Sequence, residues 1–251
     1  MPFFIFILGL VIGSFLNAVI FRLKKNEQFI KGRSKCLFCK KELKPRDLIP
    51  VVSFIFLKGR CRFCQKRISW QYPLLELATG LIFLIGYFYY PAAGQPFNYL
   101  AYLIFSCFLI VIFTYDLKYY LILDKVSLTA LLVAFLANFL LGRDPLNLLL
   151  GAVLVAGFFL SQFLISKGKW IGGGDIRLGL VMGAMLGWPL VLVALFLAYI
   201  IGAIIGLWLI VLKKKAWGSQ LPFGTFLAAT TWLSLWWGER LMNWYLNFLS
   251  F

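Results

Sequence analysis

Residues 172–215 read GGGDIRLGLVMGAMLGWPLVLVALFLAYIIGAIIGLWLIVLKKK. Within them the run 176–212 carries a single charge, Arg177. A hydrocarbon layer of roughly 30 Å takes about 20 helical residues to cross, so this run is too long for one span. Gly187-Trp188-Pro189 is its natural break, and Lys213, Lys214 and Lys215 close it. The stretch therefore predicts two membrane helices, the first of them short. The rest of the chain follows the same pattern. Hydrophobic residues make up 62% and charged residues 14% of the 251, against about 45–50% and about 25% in an ordinary soluble domain.

Working outward, further spans are predicted at about 2–21, 72–90, 97–115, 126–141, 146–165 and 222–237. The last is followed by Gly238-Glu239-Arg240 and an amphipathic or re-entrant tail. Breaker-rich sequence at 91–96 and the turn Gly142-Arg143-Asp144-Pro145 separate neighbouring spans. The expected fold is an all-α polytopic membrane protein of about eight helices. Its organisation is a first transmembrane helix at 1–21, a basic cytoplasmic domain at 22–71 and a helical membrane domain at 72–251. Residues 1–23 lack a basic region ahead of their apolar stretch, which argues for a retained span over a signal peptide. No internal repeat or low-complexity linker is evident.

Formal charge is +16, and residues 22–71 alone hold fifteen Lys or Arg against three acids. A basic segment tethered between two spans points to anionic cytoplasmic lipid and argues against nucleic acid. Counting Lys and Arg on each side gives the orientation. With the basic domain in the cytoplasm, eight spans also put Lys118, Lys125, Lys167, Lys169, Arg177 and Lys213 to Lys215 inside. Arg143 and Arg240 alone fall outside, and the N terminus is external.

Four of the five cysteines form Cys36-Leu37-Phe38-Cys39 and Cys61-Arg62-Phe63-Cys64. Two residues between thiols let both sulfurs of a knuckle reach one ion, and two knuckles complete a tetrahedral thiolate site. A reducing compartment argues against disulfides. A structural zinc site fits a segment with few large apolar residues, since ligation would replace missing burial. Redox-active dithiols or an iron–sulfur cluster share this spacing. Cys107 lies mid-span and reads as a small buried hydrophobe.

Of nine acids, Glu76, Asp116 and Asp175 stand within or at the ends of predicted spans. Charge near hydrocarbon is retained mainly where it faces a polar cavity or a partner. Asp116 ends the third span and Asp175 precedes the sixth, so both are expected on the cytoplasmic side at similar depth. Two adjacent carboxylates share a proton, and the ionised member can then activate water while the protonated one donates to a carbonyl oxygen. The chain has no histidine, which excludes Ser-His-Asp, Cys-His and HExxH chemistry. Gly172, Gly173 and Gly174 leave room for a peptide backbone beside Asp175. On these residues alone, ion-coupled transport is a competing reading. Asp175 as a helix cap, and Asp116 as a partner of Lys118 or a marker of the lipid boundary, are the structural alternatives.

The ordered motifs carry a resemblance. Gly13-Ser14-Phe15-Leu16-Asn17 with Arg22 comes first, followed by Arg33-Ser34-Lys35-Cys36 and Gly59-Arg60-Cys61-Arg62. Ile68-Ser69-Trp70-Gln71-Tyr72-Pro73-Leu74-Leu75-Glu76, Asp116-Leu117-Lys118 and Gly172-Gly173-Gly174-Asp175-Ile176-Arg177-Leu178 complete the set. Together they resemble the bacterial type IV prepilin peptidases, GxGD-type intramembrane aspartyl proteases that are bifunctional leader peptidases and N-methyltransferases of pilus, secretion and competence systems. The resemblance implies that Asp116 and Asp175 are the catalytic pair. It implies removal of a short basic leader after its terminal Gly, then methylation of the new amino terminus by S-adenosylmethionine. Type IV prepilins or pseudopilins, membrane lipid, and the pilus or secretion machinery are the implied partners, in the bacterial inner membrane. Gly172, Gly173, Gly174, Asp124, Lys118 and Glu76 are the implied motif positions and substrate contacts, with Asn17 and Arg22 near Glu76 in the family pattern. No glycine-rich nucleotide fingerprint follows a strand, so the S-adenosylmethionine residues are not identified. Leu123-Asp124 departs from the Pro-Asp common in the family. Glu42, Asp47, Asp124 or anionic lipid is expected to offset repulsion between the basic domain and a basic leader.

Overall fold

The computed structural model describes residues 1–25, 34–90, 95–216 and 218–249. The resemblance at Arg33 and most of the breaker at 91–96 lie outside them. The helices are α1 (Pro2–Lys24), α2 (Val52–Phe56), α3 (Gln71–Tyr89), α4 (Pro96–Tyr119), α5 (Asp124–Leu140), α6 (Pro145–Ser166), α7 (Gly173–Leu186), α8 (Leu190–Val211) and α9 (Phe223–Leu249). Among the described residues five are long and apolar enough to cross a membrane, namely α1, α3, α4, α6 and α8. This makes the chain a multi-span all-α protein. Eight spans were expected; α5 at 17 residues and α7 at 14 are shorter, and α9 is more polar.

Three helix ends differ from expectation. Asp116 does not end its helix, because α4 continues to Tyr119. Asp175 does not precede its helix, which begins at Gly173. The tail beyond Gly238-Glu239-Arg240 is neither separate nor re-entrant but continues α9 to Leu249. One glycine costs an exposed helix only about 1 kcal/mol, too little to break one this long.

The chain divides into two compact units, Met1–Tyr99 and Leu100–Phe251. In the first, α1 lies against α3 through small residues. A Cβ on Gly9 would fall 2.7 Å from Gly80 Cα, and one on Gly13 would fall 2.8 Å from Glu76 Cα. Without a hydrophobic force between helices in lipid, such close backbone approach supplies the packing. Between α1 and α3 the cysteine segment folds into two hairpins of the same design. Cys36 N–H donates to Lys41 C=O and Lys40 N–H to Cys36 C=O, as Cys61 N–H donates to Lys66 C=O and Gln65 N–H to Cys61 C=O. Lys41 lies over the Phe63 ring and Lys66 over the Phe38 ring, 5.2 and 4.9 Å from the centroids, so the hairpins clasp each other reciprocally. The sequence reading missed this short repeat because few side chains outside the cysteines match.

In the second unit α7 is nearly enclosed. A Cβ on Gly183 would lie 2.1 Å from Ala152 N of α6, and one on Gly179 would lie 3.0 Å from Phe159 and Val155. Two asparagines fasten its far end. Buried Asn138 donates to the carbonyls of Ala184 and Met185, and Asn147 exchanges hydrogen bonds with both backbone groups of Trp188. At the start of α6 the Asp144 carboxylate caps the amides of Leu146 and Asn147, with Pro145 in the first turn.

Candidate active site and cysteine centre

Asp116 and Asp175 come together in the second unit. Asp116 is 4% exposed and Asp175 8%, and Asp175 lies close enough to feel the Asp116 charge. Each carboxylate is held at a helix N terminus. Asp175 sits in the first turn of α7 and its Oδ2 accepts from Gly172 N–H at 3.0 Å. Asp116 projects from the last turn of α4 onto the first turn of α9, where its Oδ2 accepts from Thr225 N–H at 2.7 Å and Thr225 Oγ1 at 3.0 Å. The unsatisfied amides and positive end of a helix favour the ionised carboxylate, which opposes the cost of burying it. Capping and pairing thus coexist at Asp175. Asp116 is bonded to Thr225, while the Lys118 ammonium lies over the Tyr119 ring.

One apolar residue joins the two halves of the site. Ile122, between α4 and α5, lies 2.9 Å from the Cβ position of Gly174 and 2.7 Å from that of Gly224. The Gly224 position is also 3.0 Å from Asp116 Oδ2. Larger residues at Gly174 or Gly224 would push Ile122 away and part the helices that carry the carboxylates. Gly172 and Gly173 face no such contact, so of the three glycines only Gly174 is needed for space. Asp124 pairs with Arg177, which ties the start of α5 to α7 beside the dyad. Tyr199 of α8 shares a hydrogen bond with Gln162 at 3.1 Å. Its ring centroid is 5.0 Å from that of Phe223.

Sequence reasoning did not single out Gly224, Thr225, Ile122 or Tyr199. Pro222-Phe223-Gly224-Thr225 was available as a helix start with a hydroxyl in the first turn. It read only as the beginning of a span, because nothing local says which carboxylate it will meet.

The first unit holds buried carboxylates of its own, Asp47 and Glu76. Glu76 is 6% exposed, and its Oε2 accepts from Val51 N–H at 2.8 Å, with the Ser14 hydroxyl also bonded to it. Val51 has φ 60° and ψ −50°, and Val52 N–H closes back on Pro50 C=O at 2.6 Å, a γ-turn centred on a β-branched residue. Asn17 donates to Tyr72 C=O and accepts from Gln71, both at 3.2 Å, so the opening motif and the Ile68-to-Glu76 motif form one polar seam.

Cys36, Cys39, Cys61 and Cys64 converge, with all four sulfurs within 4.8 Å of one another and Cys36 Sγ 3.9 Å from Cys64 Sγ. A tetrahedral ion with bonds of about 2.3 Å sets its sulfurs about 3.8 Å apart. The four thiols therefore fit a metal ion. Burial pushes the Cys36 thiol up, but the amides of Cys39 and Phe38 together with the Cys61 and Cys39 thiols bring it down from 9.0 to about 7. Such a group gives up its proton readily to a cation. Asp47 braces the second hairpin through Arg62 at 2.7 and 2.9 Å. With Asp47 on Arg62, Glu42 near Lys35 and Asp124 on Arg177, the acids expected to offset a basic leader are already engaged with basic side chains.

Comparison with known proteins agrees with both units. The Bacterial Peptidase A24 N-terminal domain matches residues 7–90, and the Type IV leader peptidase family matches residues 103–207. A prepilin leader peptidase/N-methyltransferase of Aeromonas salmonicida (strain A449) is 34% identical, covering 97% of this chain and 93% of the relative. Proteins of the same description from Bacillus subtilis (strain 168) and Pseudomonas aeruginosa are 34% and 31% identical, covering 97% and 98% of this chain and 97% and 93% of their own lengths. No solved structure matches the chain. On this similarity along nearly its whole length, the chain belongs to the type IV leader peptidase family.

Proposed function

We propose that the protein cleaves the basic leader from type IV prepilins or pseudopilins with Asp116 and Asp175, and methylates the amino terminus that cleavage exposes. The observation that carries the proteolytic reading is the meeting of these two buried carboxylates, 59 positions apart in sequence, at the N termini of two helices. The ionised member takes a proton from water, whose oxygen bonds to the scissile carbonyl carbon. The protonated member gives its proton to the carbonyl oxygen, and collapse of the tetrahedral adduct breaks the C–N bond as the amine takes up a proton. Gly173 has nothing within 4 Å of its Cβ position and that of Gly172 lies 3.6 Å from Asp175 Oδ2, so a peptide backbone meets no side chain from either beside Asp175. Lys118 and the Asp124–Arg177 pair stand at its edge as candidate substrate contacts.

S-adenosylmethionine would supply the methyl group. The donor set around Glu76 suits the acceptor amine, since a buried carboxylate attracts an ammonium and can accept its proton. The four cysteines hold a structural zinc: an all-sulfur set leaves no open position for water, so the metal organises the hairpins and takes no part in hydrolysis. The basic hairpin domain and the dyad face the cytoplasm, where leaders reside.

The deciding experiment uses purified protein in lipid vesicles with a prepilin substrate. Asp116→Asn and Asp175→Asn are each expected to abolish leader cleavage. Cleavage at the unaltered rate in both variants would remove the dyad and leave ion-coupled transport as the use of these acids.

A further inference from the structure

The hydrogen bonds to the two carboxylates distinguish their oxygens. A backbone N–H can only donate, so an oxygen that accepts one cannot present a proton in the same direction. Asp116 Oδ2 faces Thr225 N–H and Asp175 Oδ2 faces Gly172 N–H. Both Oδ2 atoms are committed acceptors, and the two Oδ1 atoms are left for the shared proton and the attacking water. The carboxylates are not held alike. Asp116 Oδ2 takes a second bond from Thr225 Oγ1, whereas Gly172 is the sole hydrogen-bond donor to Asp175 among the described residues. Thr225 is itself 5% exposed, so no bulk water substitutes for its hydroxyl. Gly224 is what lets it come so near, since a side chain there would begin 3.0 Å from the same oxygen.

We infer that Thr225 is a positioning residue that holds Asp116 as the ionised, water-activating member of the pair and leaves the proton on Asp175 Oδ1. Two donors on one carboxylate oxygen stabilise negative charge there more than the single donor on the partner does. The same contact fixes the Asp116 plane, so Oδ1 keeps one direction toward water. This inference rests on the dyad reading above and adds a division of labour to it.

The test measures cleavage of a prepilin by full-length protein in vesicles. Thr225→Val keeps the amide and the shape but removes the hydroxyl, Thr225→Ala only removes atoms, and Thr225→Ser restores the donor. Loss of a hydrogen bond to a charged group predicts a fall in kcat of about tenfold for valine and alanine. KM is expected to stay within about twofold, and serine to recover most of the rate. A purely structural hydroxyl would instead lower the unfolding temperature in step with activity, and serine would recover both together. Alanine and valine variants with wild-type kcat, or a serine variant as slow as alanine, overturn the inference. Should valine fail to fold, the alanine and serine pair decides alone. Asp116→Asn and Asp175→Asn in the same vesicles separate the two levels: if they abolish cleavage while the Thr225 variants retain it, the dyad stands and only the role of Thr225 falls.

Discussion

Asp47 and Glu76 are both buried acids of the first unit, and their surroundings give them different work. Asp47 has a guanidinium on it: the Arg62 hydrogen bonds outweigh burial and hold its carboxyl below the usual 3.8. A carboxylate lowered in the folded state contributes stability above its unfolded value and loses it as pH falls through the folded one. Asp47→Asn is therefore expected to destabilise the hairpin domain by about 1–3 kcal/mol at pH 7. The gap between the unfolding curves of wild type and variant should be full above about pH 4 and shrink as the pH is lowered further; a gap that acid does not shrink would assign the effect to packing. Glu76 accepts from Val51 N–H and the Ser14 hydroxyl, with no ion pair to it among the described residues. Glu76→Gln keeps the shape and removes the charge, so methylation of a pre-cleaved pilin should fall at least tenfold while leader cleavage stays within about twofold. Equal loss of both activities would make Glu76 a brace for the γ-turn at Val51. Composition and the known cost of intramembrane charge were enough to mark Glu76, Asp116 and Asp175 as special. Their partners were not legible, because Thr225 is 109 positions from Asp116 and Val51 is 25 from Glu76.

At the scale of elements, hydrophobic runs and their breakers gave the span ends to within a few residues except at the end of α9, since a span's length is set by the bilayer and its ends by charge and by Pro or Gly. Two of the three misplaced ends are those of the site. Asp116 and Asp175 were taken as boundaries because a charge normally stops a span; here helix N termini satisfy them, that of α9 for Asp116 and that of its own α7 for Asp175. Which helices touch was not legible either, and the glycines supply that. Gly183 of α7 faces the Ala152 backbone of α6, which cannot yield as a flexible side chain would, while Gly157 of α6 faces open space. Gly183→Ala should then separate α6 from α7, displace Asp175 and abolish cleavage, with destabilisation of about 3 kcal/mol or more. Gly157→Ala should leave activity intact and raise stability by up to about 1 kcal/mol. Thermal unfolding with the cleavage assay tests the contrast, and a harmless Gly183→Ala would contradict the packing of α7.

For the whole molecule, the meeting of the two aspartates constrains how the chain threads the bilayer. Asp116 lies near the end of α4 and Asp175 near the start of α7, with α5 and α6 between them. Only an even number of crossings returns the chain to the same side. If α6 spans, α5 must span as well, although its 17 residues reach only about 26 Å. The expected segregation of Lys and Arg has the same parity, with Arg143 in the α5–α6 turn on the outer side and Lys167 beyond α6 on the inner one. Neither length nor hydropathy alone would count α5. Cysteines introduced singly at Arg143 and Lys167 into a chain whose Cys107 is changed to Ala should react differently with a membrane-impermeant maleimide, scored against the same chain without them because Cys36, Cys39, Cys61 and Cys64 remain. Position 143 should label in intact cells, and position 167 only after the membrane is opened. Labelling of both in intact cells, or of neither, would mean that α6 does not cross, and a dyad at one membrane face would then need a different path between its two halves.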